Sequence, residues 1–387
     1  MLKYLRFYIS PFFLLIAIIV FLQGGMYPLV LFCLFDIMLI AGDYFFRNDI
    51  KTYDFKHPQF LNLSLYLNLP LLYILVFLVL ILLSNQTPLF VVDFFNALNI
   101  DFIAIKNSYT IYDKISAGAL TVLFIGIGGT VPAHELTHRK HKRFDMFVGN
   151  WMLALSWDCA FAIEHVHGHH KNVCLEDDPA TAKRGENIYA FIFRAIIKEQ
   201  KDAWEIEISR LKKRGFSFIG INNKMLIGYL RSIIVTASTY LLLGLSGMLL
   251  YLLFAFIAKA LLEVINYTEH YGLVRQPGQP VYPRHSWNSN NTISTIFLYN
   301  LTRHSAHHEK ANVEFWDLKA YNDAPCLPFG YLSMLYLVIF APFIYHKVMI
   351  PKLIDWDDNC ASESERKIAS KHNVNSGIAL LQNRVYE

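Results

Sequence analysis

Residues 164–173 read EHVHGHHKNV, and four of the ten are histidines, at 165, 167, 169 and 170. Imidazole is a weak base, a proton carrier and the commonest metal ligand. Three further clusters occur. HELTH carries His134 and His138 four apart, a spacing that sets both rings on one face of an α-helix. In EHVHGHH, His165 and His169 repeat that spacing and His170 follows. NYTEHYGL adds His270, and RHSAHH adds His304, His307 and His308. Nine imidazoles exceed the four donors of a structural zinc site and the three of a catalytic one. They match two metal ions with four or five nitrogen donors each. Neutral imidazole accommodates iron, zinc, copper or nickel, so ligand type alone leaves the metal open. Decoration of a surface would account for one isolated histidine, but not for four spaced clusters. His57, His141, His285, His346 and His372 lack that spacing and read as ordinary. His167 sits two residues from both His165 and His169, so on a helix it points away from them.

HELTH also fits H-E-x-x-H, the zinc-protease pattern, with Glu135 as its base. Such a site needs one more ligand and an open position, not seven more clustered histidines. Glu135 therefore reads as a partner that accepts a hydrogen bond from a ligand imidazole and fixes its tautomer. Glu164, Glu263, Glu269, Asp177 and Asp178 are candidates for the same role. The plain alternative for each is a charged helix end in water.

These residues need a scaffold, and the composition points to a membrane. The 387 residues are 54% hydrophobic, 15% aromatic and only 17% charged, with a mean hydropathy of +0.32. That is too apolar for an ordinary soluble domain. A net charge of +4 gives no reason to expect a nucleic-acid partner. The five cysteines are scattered and form no C-x-x-C, which excludes a disulfide framework or a cysteine-based zinc or iron site. The basic, apolar N-terminus reads as a retained helix, because a second apolar run follows at once without a cleavage pattern.

Apolar runs of span length fall at about 8–23, 27–45, 66–84, 116–133, 226–244 and 247–265. QGG joins the first two and GLSG the last two. The expected fold is therefore all-α and polytopic, with six transmembrane helices. Segments 146–163 and 331–349 are interrupted by polar residues or Pro342 and read as buried or interfacial. With the N-terminus cytoplasmic, 31 of the 35 Lys and Arg fall on the inside, as the positive-inside rule requires. In this frame both termini and all nine clustered histidines lie on the cytoplasmic side. Residues 1–350 form one membrane-embedded domain, and 351–387 a polar C-terminal tail, expected to be flexible from about 355 and without function.

At the level of these motifs the chain resembles the integral-membrane alkane monooxygenases, a branch of the histidine-rich diiron membrane family that includes fatty-acid desaturases. HELTHR, EHVHGHH and LTRHSAHH stand where that family has its three histidine boxes, and NYTEHYGL matches its additional His motif. DDPATAKRGENIYAF, AWEIEISRLKKRG, SWNSN and APCLPFGYLSM are similar too. The likeness is strong over about 116–350. Thr302 and Ala306 depart from a glutamine and an aspartate of the third box, and Arg139 replaces a lysine; all nine histidines are kept.

The resemblance implies two non-haem iron ions held by the nine histidines, with O₂ as co-substrate. It implies hydroxylation of an unactivated, usually terminal, C–H bond of an alkane or alkyl-chain lipid dissolved in the membrane. It also implies electrons from a separate rubredoxin-type carrier and its NAD(P)H-dependent reductase, and a bacterial inner-membrane location. The centre itself carries the chemistry, and no protein nucleophile is implied. The second span offers a stop for the alkyl chain: Phe35 and Met38 share a helix face there. A desaturase of the same superfamily is the main alternative, with a membrane zinc protease or a metal transporter behind it. Substrate chain length, regiochemistry and oligomeric state are not encoded legibly.

Overall fold

The computed structural model describes residues 2–46, 48–321 and 323–384. Its described residues form helices and connecting loops, with one isolated bridge between Asn288 and Cys326 and no strand. Five helices are long and apolar enough to cross a membrane: α1 Lys3–Phe21, α2 Tyr27–Phe45, α3 Pro58–Leu83, α4 Ile111–His138 and α6 Lys224–His270. A polar helix, α5 Ile188–Arg214, precedes the last of these, and α7 Glu363–Val374 lies near the C-terminus. Large apolar side chains on the apolar helices face outward, among them Phe12, Ile37 and Leu241. Water penalises such exposure, whereas lipid accepts it and leaves each helix to satisfy its own backbone groups. The chain is an integral membrane protein.

The helix count differs from expectation. The expected fifth and sixth spans lie on one run, α6, of 47 residues. At 1.5 Å per residue such a run far exceeds a hydrocarbon core of about 30 Å. It is broken at Gly244, whose φ of 65° and ψ of −166° are non-helical. The left-handed φ is one that glycine adopts without a Cβ penalty. Segments 224–243 and 245–270 are each long enough for one crossing. The segments expected to be buried or interfacial are the helices Arg143–Ala154 and Tyr331–Phe340, and Pro342 opens a new helix as its ring geometry favours.

The chain divides into two compact units. The first comprises Met1–Met38, Phe55–Cys159 and Ile219–Lys259. In it, Ser10 of α1 donates to Asn68 of α3 at 2.9 Å, and the Phe35 ring packs against Phe13 and Phe124 at 5.2 and 5.1 Å. A capping box of Thr110 and Asp113 opens α4, which widens into a π-helical stretch at Ile125–Thr130 before it delivers His134 and His138 at its end.

The second unit comprises Leu39–Asp54, Ala160–Phe218 and Ala260–Glu387 and contains the other seven clustered histidines. The C-terminal segment corrects the expectation of a flexible tail. Trp356–Cys360 is a π-helical turn, and α7 starts from a Ser362–Glu365 capping box. Asp357 is fully buried and holds the Arg184 guanidinium with both oxygens, at 2.7 and 2.6 Å. The tail is polar because its charges answer charges in the body of the unit. Residues 385–387 of that segment lie outside the described residues.

Candidate metal centre

The local backbone decides which histidines meet. Phe161–Glu164 is α-helical, but His165–His169 is a π-helical turn. An α-helix pairs positions four apart; a π turn bonds i to i+5 and so pairs positions five apart. His165 accordingly meets His170, with their Nε2 atoms 3.2 Å apart, and His307 approaches His170 at 3.0 Å. His169 turns to a different group. His165 and His169 do keep adjacent rings, with centroids 5.1 Å apart, but the turn sends their Nε2 atoms to different groups. His304 and His308 do keep α-helical spacing on the short helix His304–Glu309 and share a group, while His307 faces the other.

The second group is His169, His270, His304 and His308. One ring nitrogen of each lies within 4.8 Å of all the others, and all four residues are buried. The Nε2–Nε2 separations are 3.3 Å for His169–His308, 3.2 Å for His270–His304 and 2.9 Å for His304–His308. Two of these rings are fixed from behind. His169 Nδ1 faces both oxygens of the buried Asp178, at 3.1 and 3.0 Å, and His270 Nδ1 donates to the His285 carbonyl at 3.1 Å. With the proton held on Nδ1, the neutral ring presents its Nε2 lone pair to the group. Thr181 Oγ1 donates to Asp178 at 2.6 Å and keeps the carboxylate in place.

The electrostatics agree with a donor set. Burial lowers the pKa of His304 and His308, and the neighbouring imidazoles lower it further. Burial and His169 bring His307 down to about 3. Burial also disfavours the His169 cation, but the Asp178 carboxylate outweighs it and raises that pKa. Burial would raise Asp178, yet His169 and Thr181 hold it below the usual carboxylate range. Neutral rings with lone pairs about 3 Å apart repel unless a proton or cation lies between them. A divalent ion bound at about 2.0–2.1 Å places its nitrogen donors about 3.0 Å apart at right angles and about 3.4 Å apart at tetrahedral angles. The observed 2.9–3.3 Å fits that donor set. One Glu269 oxygen lies 3.3 Å from His304 Nε2, while the other is buried without a hydrogen-bond partner among the described residues, a further acceptor suited to a cation.

In the first unit, His134 and His138 are adjacent on α4, with ring centroids 4.9 Å apart. Glu135 was expected to accept from a ligand imidazole; the structure gives it the Arg139 guanidinium, at 2.8 Å from Nη2. Arg139 also reaches Asp145 at 3.1 Å and Asn62 at 2.6 Å. An arginine makes this three-way fork where lysine offers a single point charge.

The other expected partners divide. Asp178 meets His169 as described above, but Asp177 is exposed, because the turn after Cys174 points it to solvent. Glu164 occupies the space that a side chain at Gly168 would need, and Glu263 accepts from Asn266 at 3.1 Å; both are buried. His167 is exposed, as its position predicted. Thr302 is fully buried and shares a hydrogen bond with Thr295 at 3.0 Å, and Ala306 is buried. His285, read as ordinary, backs His270. Glu365, which accepts from His285 Nε2 at 2.7 Å, was missed altogether. Its only signal in the sequence was the Ser362-x-x-Glu365 capping pattern.

Comparison with known proteins places these observations among relatives. Residues 115–337 match the fatty acid desaturase family model. The chain is 37% identical over 256 residues to alkane 1-monooxygenase 1 of Pseudomonas aeruginosa, covering 64% of this chain and 66% of that one. It is 36% identical to an alkane 1-monooxygenase of Acinetobacter baylyi, over 66% and 63% of the two chains. It is 34% identical to alkane 1-monooxygenase 2 of Alcanivorax borkumensis, over 65% and 66%. In each case the matched region spans slightly less than two thirds of the relative's own length.

Proposed function

Since this chain belongs to the fatty acid desaturase family, in its alkane monooxygenase branch, we propose that it is a membrane-bound monooxygenase that hydroxylates an alkane or alkyl-chain lipid at a terminal carbon. The observation that carries this reading is the buried four-imidazole group whose His169 and His270 rings are locked with Nε2 inward. His169, His270, His304 and His308 hold one iron. His165, His170 and His307 hold a second, and the family resemblance alone assigns His134 and His138, the first histidine box, to the ligands. Bound iron supplies the reduction of O₂ and the transfer of one oxygen atom to the C–H bond. The balance is one alkane, one O₂, two electrons and two protons to one alcohol and one water.

The protein's own contributions are orientation and exclusion. Asp178 and the His285 carbonyl keep the two lone pairs aimed at the ion. The apolar helices bring the substrate from the bilayer, so the usual gain of about 0.8 kcal/mol per CH₂ removed from water largely vanishes. Selectivity then rests on shape, and Phe35, buried in the first unit, with Met38 is our assignment for the stop of the alkyl chain. Electrons come from a rubredoxin-type carrier and its NAD(P)H-dependent reductase at the cytoplasmic face of a bacterial inner membrane, both termini lying on that side. We assign residues 1–350 to the hydroxylase domain.

The test is product analysis. The purified protein in bilayers receives rubredoxin, reductase, NADH, ¹⁸O₂ and a panel of alkanes and fatty acids. A primary alcohol carrying ¹⁸O supports the reading. An alkene without ¹⁸O would assign the chain to the desaturases instead.

A further inference from the structure

We propose that the C-terminal segment 356–374 is a positioning element of the metal centre, in which Glu365 acts through His285 on His270. This rests on the metal assignment above. The chain of contacts is short and buried. Glu365 Oε1 accepts from His285 Nε2 at 2.7 Å, and both side chains are fully buried. His285 Nδ1 accepts from the Tyr282 backbone N–H at 3.0 Å, so its proton sits on Nε2 and its ring is fixed at both ends. The backbone carbonyl of the same residue takes the His270 Nδ1 proton at 3.1 Å and the Cys174 thiol at 3.0 Å. The ring of His285 thereby fixes where its carbonyl points, and the carbonyl fixes the rotation of a ligand imidazole.

Other contacts tie the same loop to the C-terminal segment and to the third histidine cluster. Arg284 pairs with Glu365 at 2.9 Å, and Trp356 Nε1 donates to the Arg284 carbonyl at 2.7 Å. Ser305, next to His304, donates to the Pro283 and Ser286 carbonyls at 2.6 and 3.1 Å. The Glu365 carboxyl is held down to about 2: burial would raise it, but the His285 and Arg284 hydrogen bonds outweigh burial. It therefore stands as an anion among donors from three residues, His285, Arg284 and Ser362, whose N–H and hydroxyl both lie at 2.8 Å.

Because the relay from Glu365 through His285 ends on His270, the effect should fall chiefly on one of the two irons. The measurement is iron release from the purified full-length holoprotein to a ferrous chelator. Glu365→Ala is expected to speed release of one iron per chain about tenfold, the lower end for loss of a partner behind a ligand. Release of the other should keep its wild-type rate. Glu365→Gln keeps an oxygen acceptor for His285 and should return most of the wild-type behaviour. Lys367→Ala, on the exposed face of α7, should match wild type. If Glu365→Ala does not fold, His285→Asn serves in its place. It keeps an acceptor for the Tyr282 N–H, severs the link to Glu365, and should free one iron faster. Wild-type rates in these variants, equal acceleration of both irons, or a glutamine variant as labile as alanine would each overturn the proposal. Wild-type protein with fewer than two irons would overturn the metal assignment and this proposal with it.

Discussion

The two imidazole groups of the second unit are built differently. His169 and His270 are gripped from behind by a buried carboxylate and a fixed carbonyl. The grouping of His165 with His170 depends on backbone winding: a single π turn brings positions five apart together, with Phe161 stacked on the His165 ring. The four-histidine group is buried, whereas His170 is only partly buried. A donor set with its own hydrogen-bonded support is preorganised and changes when that support is cut. A donor set defined by the winding of one turn changes when the backbone changes. The two halves of the centre should therefore fail to different mutations.

The largest effect is expected where a donor itself is removed. His270→Ala should lower activity by more than the about 100-fold that marks the upper end for an outer partner. It should lose iron while circular dichroism shows the helices retained; full activity would remove His270 from the ligand set. Next comes Asp178→Asn, which keeps the shape but removes the charge behind His169. Metal affinity of the four-histidine group should fall about 10–100-fold, read by chelator titration, with the other group unchanged.

Gly168→Ala addresses the other half. A Cβ at this position would lie 2.4 Å from Glu164 Oε1 and 3.1 Å from its Cδ, so the glutamate or the turn must move. Overpacking of this kind costs about 1–3 kcal/mol, and thermal unfolding should show it. Iron loss should be greater from the group of His165, His170 and His307, since His169 of the other group shares the turn but is also held by Asp178. Loss from both groups alike would end the contrast drawn between them. The smallest effect on the metal is expected at the proposed alkyl stop. Phe35→Ala and Met38→Ala should extend the accepted chain length while leaving iron content at the wild-type level. If product profiles stay unmoved in both, other residues bound the channel.

Much of this was legible in the sequence, and the rest failed for identifiable reasons. Histidine clusters and apolar runs are local signals, so the helices and all nine candidate ligands could be read directly. Their grouping could not. A period-3.6 reading sets His165 beside His169, as the rings are, but no residue in EHVHGHH announces the π turn that brings His165 to His170. The break at Gly244 was visible as GLSG, but not that one helical run would carry both flanking segments. Asp178 and Asp177 are chemically identical neighbours, and only the turn chooses between them. His285 and Glu365 are 80 residues apart and belong to no shared motif, so their pairing exists only in three dimensions. Asp357 and Glu365 made the tail look like solvated chain because charge composition does not say where the partner lies.

The central claim is that two unequal histidine groups hold two iron ions. Elemental analysis of the purified full-length protein, normalised to chain concentration, tests it most directly. Two irons per chain is the predicted result. One zinc per chain with no iron would contradict it.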